Sequence, residues 1–239
     1  MEQYYILQLL RKPEKCNVSF EEIAERAYKT IMLFQKLPKE FRPTYLCANR
    51  KKDCKLMEWN YQNFYDILKK NDNHTEEKVF EDLGYTFDCF SSLNNSISCG
   101  YSMLVGITNT KLVNSFIMRL SYNIEYFDEA TSKQIKELFE ESVKIFEPYF
   151  GCVYNSLLRS SKKYNTNDDE TMPTAVHWLN YWSKDMIGNI GEQKIKRLSK
   201  IYKELEYKEG FLKLQDIAID SKNPKDVEYK AEVEKFLLQ

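Results

Sequence analysis

Residues 101–120 read YSMLVGITNTKLVNSFIMRL, and this stretch decides the fold class. Its first part alternates between two sets of side chains: Tyr101, Met103, Val105 and Ile107, and Ser102, Leu104, Gly106 and Thr108. After a polar turn at residues 109–111, a second run alternates between Phe116, Met118 and Leu120, and Ser115, Ile117 and Arg119. A period of two is typical of β-strands. The two runs therefore predict an antiparallel hairpin with one better-buried face.

Working outward, the patterns predict further strands at residues 4–10, 149–158 and 210–217. Ser19 and Glu22 form a capping-box signature for a helix that Pro38 ends. Other helices are predicted at residues 60–70, at residues 75–83 before Gly84, and from Asp128 to Pro148. A final helix begins at Pro224, and a long loop covers residues 160–170.

Strands and helices alternate irregularly along the chain, and a turn links at least one pair of strands directly. This order predicts an α+β fold with a largely antiparallel sheet flanked by helices. We expect a single domain over residues 1–239, because no segment rich in Pro, Gly or Ser marks a boundary. Two pseudo-halves that meet near Glu125 are left open as an internal division.

The composition excludes several classes of protein. Apolar residues make up 43% of the 239-residue chain, which is enough for a hydrophobic core and argues against disorder. The 35 Lys and Arg residues nearly equal the 36 Asp and Glu residues, so no general electrostatic attraction to nucleic acid or anionic membrane is expected. The N-terminus lacks a signal-peptide pattern and no apolar run could span a bilayer, so we expect a cytoplasmic protein.

The residues that could carry chemistry are sparse. The six cysteines are scattered without a C-x-x-C pair, and we expect reduced thiols. No glycine-rich phosphate loop is present, and two histidines are too few for an evident zinc site. We therefore expect no catalytic residues, no metal and no cofactor. The alternative is a small hydrolase or transferase that uses Cys152, His177 and a carboxylate.

The block HWLNYW at residues 177–182 holds two of the three tryptophans and one of the two histidines. It follows the acidic group Asp168, Asp169 and Glu170. Aromatic side chains clustered beside a polar loop either pack a core or supply a rigid contact surface. Carboxylates beside exposed aromatic rings would suit a basic protein surface. The predicted contact residues are Asp168, Asp169, Glu170, Trp178, Tyr181 and Trp182.

The order of local motifs resembles the immunity protein 52 family of bacterial polymorphic-toxin systems. The similar segments are SFEEIAERA at residues 19–27, LGYTF at 83–87, WLNY at 178–181, GFLKL at 210–214 and NPKDV at 223–227. The resemblance runs through nearly the whole chain. The chain departs from the family pattern at His177, where glycine is frequent, and at Trp182, where an aliphatic residue is frequent.

This resemblance implies a single immunity-type domain that binds and neutralises a cognate toxin of a contact-dependent or type VI secretion system. The toxin would be encoded by a neighbouring gene, and family partners are often nucleases with a restriction-endonuclease-like fold. The resemblance implies no enzymatic activity. The expected mechanism is occlusion of the toxin's active site, with no nucleic acid or membrane partner. The oligomeric state is not predicted.

Overall fold

A computed structural model describes residues 4–15, 17–47, 53–72, 80–92, 99–121, 128–158 and 172–238. Ten strands in these ranges form one sheet, and every pair of neighbouring strands is antiparallel. They are β1 (Tyr4–Arg11), β2 (Tyr45–Leu46), β3 (Lys55–Leu56), β4 (Tyr85–Phe90), β5 (Cys99–Val105), β6 (Asn114–Ser121), β7 (Phe150–Asn155), β8 (Leu179–Trp182), β9 (Glu206–Lys208) and β10 (Phe211–Lys213). Their order across the sheet is β3-β2-β4-β5-β6-β1-β7-β8-β10-β9. The N-terminal strand thus lies inside the sheet, between β6 and β7.

Six α-helices in the described ranges flank this sheet: α1 (Phe20–Leu33), α2 (Tyr61–Lys70), α3 (Glu129–Phe146), α4 (Lys184–Ile190), α5 (Glu192–Ile201) and α6 (Pro224–Leu238). The expected α+β class with an antiparallel sheet is confirmed. The capping box of α1 is also confirmed, since Glu22 N donates to Ser19 Oγ and Ser19 N donates to Glu22 Oε2. Asp128 caps α3 in the same way, by accepting a hydrogen bond from Thr131 N at 2.8 Å.

The hairpin of β5 and β6 is confirmed in register and in burial. Tyr101 lies opposite Met118 and Met103 lies opposite Phe116, and all four side chains are buried. The strands predicted at residues 4–10 and 149–158, and the helices at 60–70, from Asp128 and at Pro224, also form, with ends within a few residues of the prediction. In α3, the buried residues include Ile135, Leu138, Phe139 and Phe146 of the apolar stripe seen in the sequence.

Other elements differ from the sequence patterns. Strands β2, β3, β4 and β9 and helices α4 and α5 were not predicted, and the strand expected at residues 210–217 shortens to Phe211–Lys213. Most of the helix expected at residues 75–83 lies outside the described residues, and Glu81–Leu83 is a 3-10 turn. Gly84 follows with φ +68°, where an added Cβ would lie 2.2 Å from Val105 O, so only glycine fits between this turn and β4.

Helices α1, α2 and α3 pack on one side of the sheet, which we call the helical face. Phe34, which follows α1, lies 5.1 Å from Phe116 between ring centroids, and Phe64 of α2 lies 4.8 Å from Phe87. Farther along the sheet, the ring of Phe139 in α3 lies so close to Gly151 that an added Cβ would be 3.2 Å from it. The helical face is therefore covered from β4 to β7.

The opposite side of the sheet is covered only in part. Over β7, β8 and β10 it is buried, because Cys152, Trp182 and Leu212 point away from the helical face and are at most 1% exposed. Helix α4 contacts β8, and α5 contacts β9 and α6. Lys194 in α5 donates to the carbonyl of Leu237 in α6 at 3.1 Å and joins the two helices.

The remaining strands lie on the other side of β1. The strands from β2 to β6 and those from β7 to β10 form two groups that flank β1 in one continuous sheet. The expected junction near Glu125 lies outside the described residues. Within the described ranges, no helix is both long enough and apolar enough to cross a lipid bilayer.

Candidate functional site

The aromatic block at residues 177–182 is largely part of the core. Trp178 is 1% exposed and Trp182 is 0% exposed. The ring of Trp178 meets that of Tyr5 edge-on at 6.4 Å, and its Nε1 donates to the carbonyl of Gln215 at 2.9 Å. Both tryptophans were expected at a contact surface, but they lie in the interior of the protein. Tyr181, half-buried and 5.0 Å from the ring of Phe211, keeps exposed surface.

The acidic group Asp168, Asp169 and Glu170 lies outside the described residues, so its contact with a partner stays a prediction. The chain leaves the described region after Leu158 and re-enters it at Met172. Leu158 also lines a small cavity together with Tyr154, Asn155, His177, Trp178, Ile219 and Lys230. This cavity has room for about one water molecule, which is too small for an organic ligand.

His177 contributes to a buried polar network. Its backbone N donates to Asn180 Oδ1 at 2.8 Å, and Asn180 Nδ2 donates back to the carbonyl of His177 at 2.8 Å. Its ring lies 5.1 Å from that of Tyr154. Asn180 also donates to the carbonyl of Leu212 at 3.2 Å, which fixes the start of β8 against β10.

The pair that a hydrolase would need is not assembled around this cavity. Cys152 is 0% exposed on β7 and lies opposite Asn180 in the ladder. It is absent from the residues that line the cavity beside His177. Cys152 is buried on the side of β7 that points away from the helical face, and its catalytic use with His177 stays a prediction.

A different surface stands out on the uncovered part of the sheet. On β1, β4, β5 and β6, the side chains that point away from the helical face are half-buried or exposed, while those between them are buried. We call this surface the open face. Its residues are Tyr4, Ile6, Gln8 and Leu10 of β1; Ser115, Ile117 and Arg119 of β6; Gly100, Ser102 and Leu104 of β5; Thr86, Asp88 and Phe90 of β4; and Tyr45 of β2.

The strand register arranges these side chains in rows across the open face. The first row runs from Ile6 to Arg119, Gly100, Phe90 and Tyr45. The second runs from Gln8 through Ile117 and Ser102 to Asp88. The third runs from Leu10 through Ser115 and Leu104 to Thr86. Each row continues into the covered part of the sheet, at Tyr154, Cys152 and Phe150.

Gly100 leaves a gap in the first row. A Cβ built on Gly100 would have no heavy atom within 4 Å outside its own chain neighbours, so the space above this strand is open. On its two sides lie the exposed Arg119 and the half-buried Phe90, whose ring stacks on Tyr45 at 6.0 Å. Glycine inside a strand often marks a place where another molecule approaches the backbone closely.

The chemistry of the open face is that of a protein contact surface. Ile6, Leu104 and Ile117 give it an apolar centre, and the exposed charges Asp88 and Arg119 have opposite signs. Mixed charge around an apolar centre is typical of surfaces that bind proteins. The sequence carried one signal of this surface, since both sides of the alternating runs contain large aliphatic residues such as Leu104 and Ile117.

The architecture defines the chain as an α+β protein with an open, antiparallel sheet, one side of which the described helices cover only in part. No protein-family model matches the chain, and no curated protein matches it. Among solved structures, the chain is similar to one described as Pseudomonas aeruginosa T6SS protein PA0821. The match has a TM-score of 0.62 and 11% sequence identity, and it covers 98% of this chain and 73% of the other. At this identity the likeness establishes a shared fold.

Proposed function

We propose that this chain is an immunity protein of the immunity protein 52 type, which binds and neutralises a cognate toxin of a type VI secretion system. The observation that carries the proposal is the open face, a sheet surface with an apolar centre that the chain's own helices leave uncovered in the described structure. Two further points support it. The segments at residues 19–27, 83–87 and 178–181 resemble that family, and the fold is shared with a T6SS protein.

The physical basis of binding would be burial of this surface. A partner that covers Ile6, Leu104 and Ile117 removes apolar area from water at about 25 cal/mol per Å². The side chains lie on paired strands, so little conformational freedom is lost on binding. Nanomolar affinity corresponds to about −12 kcal/mol and is the strength that self-protection from a lethal enzyme requires.

The finer parts of the proposal concern the toxin. We expect it to be encoded next to this gene, to be a nuclease, and to be inhibited by occlusion of its active site. The charges of the open face nearly cancel, so a contact made there alone would depend weakly on salt. A contact that also uses Asp168, Asp169 and Glu170 against a basic nucleic-acid cleft would weaken steeply with salt. Salt dependence therefore distinguishes these two modes.

The decisive experiment fills the gap in the open face. Gly100→Trp places a large side chain in empty space, so the chain should fold while the surface is blocked. Gly188→Trp is a matched control, because Gly188 in α4 is exposed and an added Cβ there also has no heavy atom within 4 Å. The measurement is the Kd for the neighbouring toxin by calorimetry, together with rescue of cells that express the toxin.

We expect Gly100→Trp to weaken binding by about 100-fold or more, equivalent to about 2.7 kcal/mol, and to abolish rescue. Gly188→Trp should bind within about two-fold of the wild-type chain. If both variants bind normally, the toxin contacts another surface. If the wild-type chain neither binds nor protects against the neighbouring toxin, the proposed function is wrong.

A second set of variants tests the contact residues predicted from sequence. If the acidic residues face the toxin, the substitutions Asp168→Lys, Asp169→Lys and Glu170→Lys should weaken binding and make the affinity less dependent on salt. Tyr181→Ala reports on the exposed edge of the aromatic block. Unchanged affinity in both would exclude these residues from the interface, and the Gly100→Trp result would then decide whether the open face forms it.

A further inference from the structure

Two cysteines directly adjoin the short β2–β3 ladder at the outer edge of the sheet, Cys47 after β2 and Cys54 before β3. In the ladder between β2 and β3, Tyr45 pairs with Leu56 and Leu46 pairs with Lys55. Continuing this antiparallel register by one position brings Cys47 opposite Cys54. On its other side, Cys47 N donates to the carbonyl of Asp88 in β4 at 3.0 Å, which holds Cys47 against the sheet.

The hydrogen-bond pattern fixes the type of this pair. Met57 N donates to the carbonyl of Thr44 at 2.8 Å, which is one of the two bonds of a hydrogen-bonded pair, while Thr44 N donates to the carbonyl of Phe90 at 3.1 Å. Such pairs alternate with non-hydrogen-bonded pairs along an antiparallel ladder. Counting along the ladder makes Cys47 and Cys54 a non-hydrogen-bonded pair, for which the Cα atoms are about 4.5 Å apart. A disulfide requires a Cα separation of about 4.4–6.8 Å, so this position accommodates one without moving the backbone.

The other described cysteines are inaccessible. Cys89, Cys99 and Cys152 are at most 1% exposed, and burial raises the pKa of the Cys99 thiol to about 12. In contrast, Cys47 is exposed and Cys54 is partly exposed, and both are thiols in the structure. Among the described residues, a small oxidant in solution therefore meets this pair first.

We propose that Cys47 and Cys54 form an oxidative modification site, at which a low-molecular-weight disulfide such as oxidised glutathione converts the two thiols into a cross-strand disulfide. In the first step, the thiolate of one cysteine attacks a sulfur of oxidised glutathione, which breaks its S–S bond and releases one glutathione thiolate. In the second step, the other cysteine loses its proton and attacks the mixed disulfide. The protein is oxidised by two electrons, and one oxidised glutathione becomes two reduced glutathiones.

The modification would act on the open face. Cys47 follows Tyr45 at the end of the first row and lies opposite Asp88 at the end of the second. The disulfide would close residues 47–54 into a loop, and this loop contains Arg50, Lys51 and Lys52. It would hold β3 to β2, whose ladder has two paired residues on each strand and the further bond from Met57 N to the Thr44 carbonyl.

The test needs no toxin, so it is independent of the proposed function. The native full-length chain is incubated with oxidised glutathione, remaining thiols are alkylated, and the chain is digested with trypsin without reduction. Cleavage after Arg50 and Lys52 places Cys47 in the peptide of residues 40–50 and Cys54 in that of residues 53–55. We expect these two peptides to be recovered joined, and the thiol count of the denatured chain to fall by two.

The pH dependence adds a second readout. Burial, Asp88 and Cys54 raise the pKa of the Cys47 thiol to about 11, so its thiolate is scarce at neutral pH. Joining should therefore be faster at pH 9 than at pH 7. Cys54→Ser is the matched control, in which Cys47 can carry glutathione but no joined peptides can form. Recovery of the two wild-type peptides as separate alkylated or glutathione-bearing species, from the native chain, would overturn the proposal.

Discussion

The two sides of β1 differ in how the sheet is covered. On one side, β7 is buried at all six positions, and its Gly151 lies against Phe139 of α3. On the other side, β5 and β4 alternate between buried and accessible side chains, because the described helices cover only the helical face there. The same sheet thus has a part in which every side chain packs and a part in which every second side chain is available.

This difference separates structural from functional residues. In the doubly covered part, an aromatic side chain such as Trp182 stabilises the fold and has no surface to offer. In the singly covered part, Ile117 is only partly buried, and its accessible area would be available to the proposed partner. Two of the aromatic residues predicted as contacts are thus core residues, whereas less conspicuous aliphatic residues of β1, β5 and β6 line the open face.

The largest expected effect comes from truncating a core residue of the doubly covered part. Trp182→Ala removes a side chain that is 0% exposed and should lower the free energy of unfolding by about 3–5 kcal/mol. Ile117→Ala, on the open face, should lower it by only about 1 kcal/mol. Urea unfolding followed by circular dichroism measures both. Equal losses in the two variants would contradict the distinction between the two parts.

A smaller effect distinguishes two glycines. Gly151→Ala places a Cβ 3.0 Å from the Leu9 side chain and 3.2 Å from Phe139, and this overpacking should cost about 1–3 kcal/mol. Gly100→Ala meets no atom and should leave stability unchanged or raise it by about 0.5–1 kcal/mol, because alanine loses less backbone freedom than glycine on folding. Thermal unfolding of the two variants gives the comparison, and a loss at Gly100 would show that the open face is covered.

The smallest effect concerns pH and the end of the sheet at β9 and β10. Hydrogen bonds from Lys213 lower the pKa of Glu206 and of Asp216, and Lys213 Nζ lies 2.9 Å from Glu206 Oε1. A lowered carboxyl pKa stabilises the fold above the unfolded pKa of about 4, and this stabilisation is lost as the pH falls through the lowered value. Both carboxylates are largely exposed, so the contribution is below about 1 kcal/mol.

Lys213→Met tests this sign. The variant should be less stable than the wild-type chain at pH 6, and the difference should shrink between about pH 5 and pH 3. Urea midpoints at several pH values measure it. A difference that does not change with pH would assign the effect of the substitution to packing of the Lys213 side chain, which is 6% exposed.

The sequence was sufficient to predict a helix or strand where the residues of that segment alone showed a clear pattern. The hairpin of β5 and β6 follows from alternation, and α1 and α3 follow from their capping residues and apolar period. Helix α5 was missed because only Ile195 and Leu198 of its ten residues are buried, and lysines surround them. Helix α4 has seven residues with Gly188 among them, which is too short for a helical period to be recognised.

The candidate site depends on tertiary structure. No strand shows by itself which of its two faces lacks a covering helix, since this depends on where α1 to α3 and α4 to α6 come to lie. The strand β1 has apolar residues on both sides, a pattern typical of strands covered on both faces, yet Ile6 and Leu10 remain half-exposed. Likewise, the spacing of Cys47 and Cys54 indicates nothing until the β2–β3 register places them opposite each other.

The central position of β1 also has a consequence for biosynthesis. Residues 4–11 are synthesised well before their two partners, residues 114–121 and 150–155. The growing chain must therefore carry an unpaired, apolar strand until these partners have been made. Pairing across such sequence distances is slow, and exposed strands of this kind promote aggregation. Production of this protein should therefore be sensitive to the availability of chaperones that bind apolar nascent segments.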